Sequence, residues 1–451
     1  MVAGPTRHAL VLGAGLAGSL AAAALARHFD TVTLVDRDDL GPGAGPRRGI
    51  PQARQSHLLM GAGARAMERL VPGVLADLRG AGAHFLAAPT EVAFLTKYGW
   101  LPRTPHDEYV VCCGRDLLDR VVRDRVLARH RIDVLGAHDV VGLLGGPAAI
   151  DGAVLRDRRT GERSTVAADF VVAATGRSSR VASWLREVGL PEVPDEVVDA
   201  GTAYATRIFD AGLPPGRRPP AIVMIANVTG DAVGGVLLPI EDGLMTATMI
   251  GMRGSEPPTG DAEFLAFAKQ LPHPGIADAL AAAQPVGPAR GFRGLVNRRS
   301  LFERLPTWPE RFVAVGDAAA VLNPAHAHGM SVAAFGVAAL AAGVGRHGNT
   351  PGLAGRVQRA VRRRGRDAWD LSVSDDLRHP RVLGPRPGPA GRLQNRYADR
   401  ITHVATARPP VARALVDVIA LAKPVSALLT PRLLWAAARG PDRTRRQEAG
   451  K

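Results

Sequence analysis

The stretch 8–36, HALVLGAGLAGSLAAAALARHFDTVTLVD, constrains the fold more than any other part of the chain. An apolar run ends in glycines, an alanine-rich segment of helical composition follows, and a β-branched run closes on Asp36. That order reads as a β-α-β unit with parallel strands. Gly13-Ala14-Gly15-Leu16-Ala17-Gly18 stands where the first strand gives way to the helix. At such a junction the first glycine permits a tight turn, the second lets a pyrophosphate approach the backbone, and the third lets helix and strand pack closely. The free N–H groups and positive dipole end of the helix suit phosphates. Asp36, followed by Arg37, is placed to accept hydrogen bonds from ribose hydroxyls. The motif points to a dinucleotide, without separating NAD from FAD.

A chain of 451 residues is long for one core, so two or three interlocked domains are expected. Hydrophobic content of 46% with 22% charged residues is that of a globular protein. The net charge of +15 raises nucleic acid or a membrane as partners. Much of it lies in RVQRAVRRRGR (356–366) and RTRRQEAGK (443–451). Neither run is interleaved with aromatics and no nucleic-acid motif is present, so a solvated helix face and a frayed tail are expected. Cys112 and Cys113 are adjacent and the only cysteines, which leaves no disulfide framework and fits a reducing cytoplasm. The apolar segment 9–26 lacks the long basic leader and cleavage pattern of an export signal. A soluble, cytoplasmic protein is expected.

Along the chain, the spacing predicts a loop over 37–57, a helix over 58–71, strands at 93–102 and 109–114, and an amphipathic helix over 115–129. A β-rich run covers 133–175, and strand-like stretches at 202–210, 221–229 and 232–251 suggest a mostly antiparallel sheet. From about 262 the pattern turns helical. It returns to a strand at 311–317, then a small-residue helix at 329–344 and proline-punctuated helices to the end.

Several side chains carry chemistry. Asp317, at a strand end, can accept two hydrogen bonds from a sugar-alcohol chain, or else cap a helix. Arg115, opening a helix, suits a diphosphate through paired charge-assisted bonds, or else pairs with Asp119. Arg47, Arg48 and Arg54 lie in the loop that should pass a cofactor, and Arg47 and Arg48 read as solvated. In NPAHAHGM (323–330) two histidines flank Ala327 like a metal pair, but two ligands on a loop fix no geometry without a third, so no metal is expected.

These motifs, and others nearly end to end, resemble the FAD-dependent monooxygenases of the p-hydroxybenzoate hydroxylase fold, most closely the bacterial branch containing polyether epoxidases. GIPQARQSHLLMGAGARAMERLVPG is similar to that branch's Pro-Gln-x-Arg-His-x-His-x-Leu-Leu segment, with Gln55 in place of the first histidine. GRDLLDRVVRDRV matches the motif whose arginine, here Arg115, contacts the FAD phosphates. ADFVVAATGRSSRVASWL, with Gly176, is similar to the second FAD motif, and RFVAVGDA to the Gly-Asp motif whose aspartate, here Asp317, binds ribityl or ribose hydroxyls. WDLSVSDDLRHP and LLTPRLLWAAARG carry the likeness to the C-terminus. The flavin-edge turn of relatives reads Asn-Pro-x-Tyr-Gly-Gln-Gly-Met. Here His326 and His328 replace Tyr and Gln, and Ala327 a Gly.

The resemblance implies an α/β fold: a Rossmann-like FAD-binding domain (1–80, 111–190, 293–345) interleaved with a mainly antiparallel substrate sheet (81–110, 191–292), plus C-terminal helices (346–451). It implies FAD held by Gly13, Gly15, Gly18, Asp36, Arg37, Arg54, Arg115, Gly176, Asp317, Pro324, Gly329 and Met330. His57, Pro324 and His328 are flavin-edge candidates, His328 as a donor to the ring. The helix beginning near Ser331 would aim its positive end at the flavin edge, where reduced flavin is anionic. The implied reaction transfers one oxygen of O2, through a flavin C4a-hydroperoxide, to an olefin or activated ring of a hydrophobic natural product. The substrate would lie under the sheet, at roughly 80–110 and 195–290. Thr175-Gly176 replaces the Asp-Gly pair of the aromatic hydroxylases, and Ala173 an Asp of nearer relatives. NADPH or NADH therefore reduces the flavin either directly or through a separate flavin reductase. Aromatic-ring hydroxylation, reduction or dehydrogenation of isoprenoid double bonds, and FAD binding without turnover are the alternatives. Aromatics at 4% favour an aliphatic polyketide or terpenoid substrate. The Arg-studded segment 408–439 is expected to cap the protein's own core, with peripheral membrane contact as the other reading.

Overall fold

His8–Leu12 and Thr31–Val35 lie parallel, with the helix Leu16–Leu25 as their crossover. The computed structural model, which describes residues 6–41, 47, 49, 51–214 and 216–441, builds them into a five-stranded parallel sheet. Its order is Phe312–Ala314, Phe170–Ala173, His8–Leu12, Thr31–Val35, Asp133–Leu135. Leu16–Leu25 is small and apolar on every side because it is buried all round, under the sheet and against the helix Gly329–His347. Gly329–His347 is long and apolar enough to cross a membrane, yet here it packs between Leu16–Leu25, Gly61–Leu70 and Leu353–Asp376. The opposite face of the parallel sheet is covered by the antiparallel strands His138–Gly145, Ile150–Asp157 and Arg163–Ala167.

A second, eight-stranded sheet runs Ala320–Val321, Gln284–Ser300, Asp195–Asp210, Leu244–Gly251, Val233–Pro239, Ala221–Met224, Val92–Thr96, Gly99–Trp100. All its pairs are antiparallel except Ala221–Met224 beside Val92–Thr96. A small sheet of Leu58–Met60, Tyr109–Cys112 and His84–Ala87 bridges the two halves. Buried within it, the Cys112 thiol is pushed up to about 12 and Cys113 higher still, so both are inert.

Two expectations need correction. The helix over 58–71 begins as the strand Leu58–Met60 and turns helical only at Gly61–Leu70. Residues 284–300, expected within a helical stretch, form a 17-residue strand that continues across residue 292. That strand is largely exposed along its first half and carries Gly287 and Gly294 at φ +80° and +70° beside register shifts, so it shows no alternation of apolar residues.

The C-terminal helices Pro389–Ala405, Pro409–Ile419 and Pro431–Arg439 each carry proline in the first turn, where the missing N–H has no intrahelical partner to lose. They bury Ile401, Leu415 and Leu433 against Leu58, Val110 and Leu238, so they cap the protein's own core.

Candidate functional site

The glycines of the first turn divide by role. Gly13 has φ +103°, and a Cβ there would lie 2.5 Å from the Ala174 carbonyl oxygen. A Cβ at Gly18 would fall 1.7 Å from the Gly13 oxygen, so helix and turn meet only because the side chain is hydrogen. Gly15 has an ordinary φ of −72°, with nothing within 4 Å of its Cβ position. The space before the first helix is thus open at the point where a diphosphate would meet free N–H groups.

Asp36 is buried. Its Oδ2 accepts from the Ala14 N–H at 2.6 Å and from Arg47 Nη2 at 2.6 Å, while Oδ1 accepts from the Asp38 N–H at 2.9 Å. Arg47 also donates to the Ala14 carbonyl at 2.7 Å and reaches Asp38 at 3.4 Å. It is therefore not the solvated residue expected. Burial opposes its charge, but Asp36 and Asp38 more than offset that, and its pKa is raised. Arg48 lies outside the described residues. Arg37 and Arg54 are exposed and make no ion pair among the described residues.

Arg115 opens the helix Arg115–Arg129, and its Nε pairs with Oδ1 of the buried Asp119 at 2.9 Å. The other carboxylate oxygen of Asp119 is buried without a partner. The positive charge of Arg115 extends to Asp317 and His57. Asp317 sits in the single turn Gly316–Ala318 and caps no helix. Burial raises its pKa, with Arg115 and Arg177 opposing. Its Oδ1 lies 4.0 Å from the Cβ position of Gly329, so the carboxylate borders the start of Gly329–His347. Gly176 adopts φ +73° beside open space. Arg177, which the sequence did not single out, donates to the Gly294 carbonyl at 2.6 Å and carries its charge toward Asp317.

The turn Pro324–His326 is set by a buried polar network. Asn323 Oδ1 accepts from the Ala325 N–H at 3.1 Å, and its Nδ2 donates to Asp376 Oδ2 and Thr202 Oγ1, each at 2.9 Å. Asn297 Nδ2 donates to the same Asp376 oxygen at 2.7 Å, and the His326 ring meets Asp376 Oδ1 at 3.3 Å. Burial disfavours charge on His326, but Asp376 outweighs it and the pKa rises. His328 is buried, and its Nε2 donates to the Ile419 carbonyl at 2.8 Å. Burial holds its pKa down at about 4, so the ring is neutral and its one N–H is engaged. This removes the donation to a flavin ring expected of it. Half-buried His57 donates from Nδ1 to the Gln55 carbonyl at 2.7 Å; burial and Arg115 push its pKa to about 3. Pro324 is exposed to the cavity described next, and Met330 is buried in the core around Gly329–His347. Among the described residues no group of three or more His, Cys, Asp or Glu side chains gathers.

A cavity of about 320 Å³ lies between the eight-stranded sheet, the Pro324–His328 turn and the C-terminal helices. The cross-strand row Phe94, Val223, Val236, Thr248 forms its ceiling. Thr248 bonds Thr206 and Ser56, which stitches the loop before His57 to the sheet. Leu415, Ile419 and Leu428 form the facing wall, a contribution no local sequence pattern announces. One end is ionic, with Asp399 bound to Lys97 at 2.9 Å and to Arg378 at 2.6 Å.

The family described as an FAD binding domain matches residues 6–366. Protein Rv3254 of Mycobacterium tuberculosis (strain ATCC 25618 / H37Rv) is 29% identical over 423 residues, 88% of this chain and 86% of that protein. Among solved structures, flavin-dependent brominase Bmp2 superposes with a TM-score of 0.67 at 12% identity, covering 96% of this chain and 100% of that one. p-Nitrophenol 4-monooxygenase PnpA from Pseudomonas putida DLL-E4 superposes with 0.64 at 16% identity, covering 92% and 98%. At such identities the solved structures speak for the fold alone.

Proposed function

Since the chain belongs to the FAD binding domain family, with the fold of its flavin-dependent monooxygenases, we propose that it places one oxygen atom of O2 on a hydrophobic small molecule, by olefin epoxidation or hydroxylation. The described residues fit FAD. Space is open at Gly15 and Gly176, one Asp119 oxygen is buried without a partner, and no described residue donates to the desolvated Asp317 carboxylate. The Gly13–Gly18 turn and Arg115 would hold the diphosphate, Asp36 with Arg47 the ribose, and Asp317 the ribityl hydroxyls. The start of Gly329–His347 would face the pyrimidine edge of the flavin. Bound FAD supplies the redox chemistry, passing electrons from a nicotinamide donor to O2.

The observation that carries the reading is the cavity, largely aliphatic and closed by the turn that follows Asp317. Its sheet and helix walls exclude water from the reacting end of a substrate. His328, which lines the cavity, stays neutral. The lining supports a polyketide or terpenoid olefin over a phenol, either compact or entering by one end.

The test is turnover of candidate olefins with NADPH or NADH under labelled O2, with and without an added flavin reductase. One labelled oxygen atom in the product is expected. Equal turnover without O2 would replace this reading with reduction or dehydrogenation of the double bond. The dependence on the added reductase identifies the route of the electrons.

A further inference from the structure

A second cavity, of about 710 Å³, shares no lining residue with the first. It opens between the helix Leu353–Asp376 and the segment 299–310, with Gly316 and Ala319 in its floor. Five arginines and two glutamates line it. Glu310 is engaged by the Gly352 N–H at 2.7 Å and Glu303 by Arg362 at 3.2 Å. Arg359 has no acidic partner among the described residues, and the contact of Arg356 is with the Pro351 carbonyl at 3.4 Å. Arg356, Arg359 and Arg362 all line the cleft and follow one another at three-residue steps, spread over about 9 Å of the helix axis. That is longer than one carboxylate engages and suits consecutive phosphates. Trp308 and Phe302, whose ring centroids are 5.1 Å apart, supply an aromatic wall. Gly355 lies within the helix, where glycine costs about 1 kcal/mol relative to alanine. A Cβ there would make only ordinary contacts, 3.5 Å to Arg359 Nη1 and 3.7 Å to Trp308 Cβ. Packing does not demand this glycine; what it preserves is cavity space.

We propose that this cleft binds a nucleotide, its planar ring against Trp308 and Phe302 and its phosphates along Arg356, Arg359 and Arg362. The arginine run is then a ligand face rather than only a solvated one.

The test is calorimetric titration of the FAD-loaded protein with ADP, NADPH and inorganic pyrophosphate. FAD loading keeps ADP out of the cofactor site. One ADP or NADPH per chain is expected, with pyrophosphate weaker by about tenfold or more, the worth of the ring contacts. Equal binding of ADP and NADPH assigns the site to nucleotides generally; binding of NADPH alone assigns it to the electron donor. The double variant Arg359→Gln, Arg362→Gln should weaken binding by about tenfold or more at unchanged flavin content. Gly355→Phe should block it by filling the cavity. The proposal is overturned if neither nucleotide binds, if pyrophosphate binds as tightly as ADP, or if the arginine double variant binds like the parent.

Discussion

At the scale of single residues, Gly15 and Gly18 belong to one motif, yet a side chain would do different things at each. Gly15 faces open space at an ordinary φ, so Gly15→Val should fold with an unchanged melting temperature and purify poor in flavin. At Gly18 a Cβ would sit 1.7 Å from a backbone oxygen, so Gly18→Ala should lose the fold itself. Asp317→Ala should resemble Gly15→Val, folded and pale; a fully yellow preparation of either would remove these residues from the cofactor site. The histidines of the turn make an opposed pair. The pKa of His328 is depressed from 6.5 to about 4, so its contribution to stability is full above pH 6.5 and lost as the pH falls toward 4. The pKa of His326 is raised, so its contribution is full below 6.5 and lost as the pH rises through the folded value. Plots of melting temperature against pH should show His328→Gln flattening the acid limb and His326→Gln the neutral limb. The strand, the glycine turn and the helix that follows it were legible because that geometry is set locally. Arg47 was not, because its burial depends on where Asp36, Asp38 and Ala14 converge in space.

Among elements, the junction that matters joins the end of Leu353–Asp376, the strand Gln284–Ser300 and the turn after Val321. Asp376 is fully buried and gathers Asn297, Asn323 and His326 around one carboxylate. Removing it leaves buried donors without an acceptor, so Asp376→Ala should destabilise the fold by about 3–5 kcal/mol. Asp376→Asn, which keeps one acceptor oxygen, should cost less. Urea denaturation of the two variants orders them, and an Ala variant as stable as the parent would show that water replaces the carboxylate. In the sequence Asp376 is one acidic residue of WDLSVSDDLRHP and nothing local marks it as the centre of a network. The strand that carries Asn297 escaped notice for a related reason. Its pairing with Asp195–Asp210 comes from partners distant in the chain, and its glycines at positive φ interrupt the alternation by which strands are recognised.

For the whole molecule, the cavity beneath the eight-stranded sheet exists only because three distant segments meet. The sheet gives the row Phe94, Val223, Val236 and Thr248, the loop after Asp317 gives Pro324 to His328, and the C-terminal helices give Leu415, Ile419 and Leu428. The sheet side was legible as a middle region of strands over a greasy pocket. The helical side was legible only as helices, since amphipathicity says that a face is buried but not against what. If both walls shape the reacting end, filling the cavity from either should have the same consequence. Val236→Phe on the sheet and Leu415→Trp on the facing helix should each lower kcat/KM by about tenfold to a hundredfold, by displacing the substrate from its reacting position. Each should retain full flavin content, because neither residue belongs to the Gly13–Gly18 turn, the helix Arg115–Arg129 or the turn Gly316–Ala318. Electrons drawn from the donor without labelled product should rise in parallel. Combined, the two should cost less than the product of their separate effects, since both act on one volume. Strict multiplicativity, or an effect from Val236→Phe alone, would separate the helices from the substrate and leave the sheet to shape the pocket by itself.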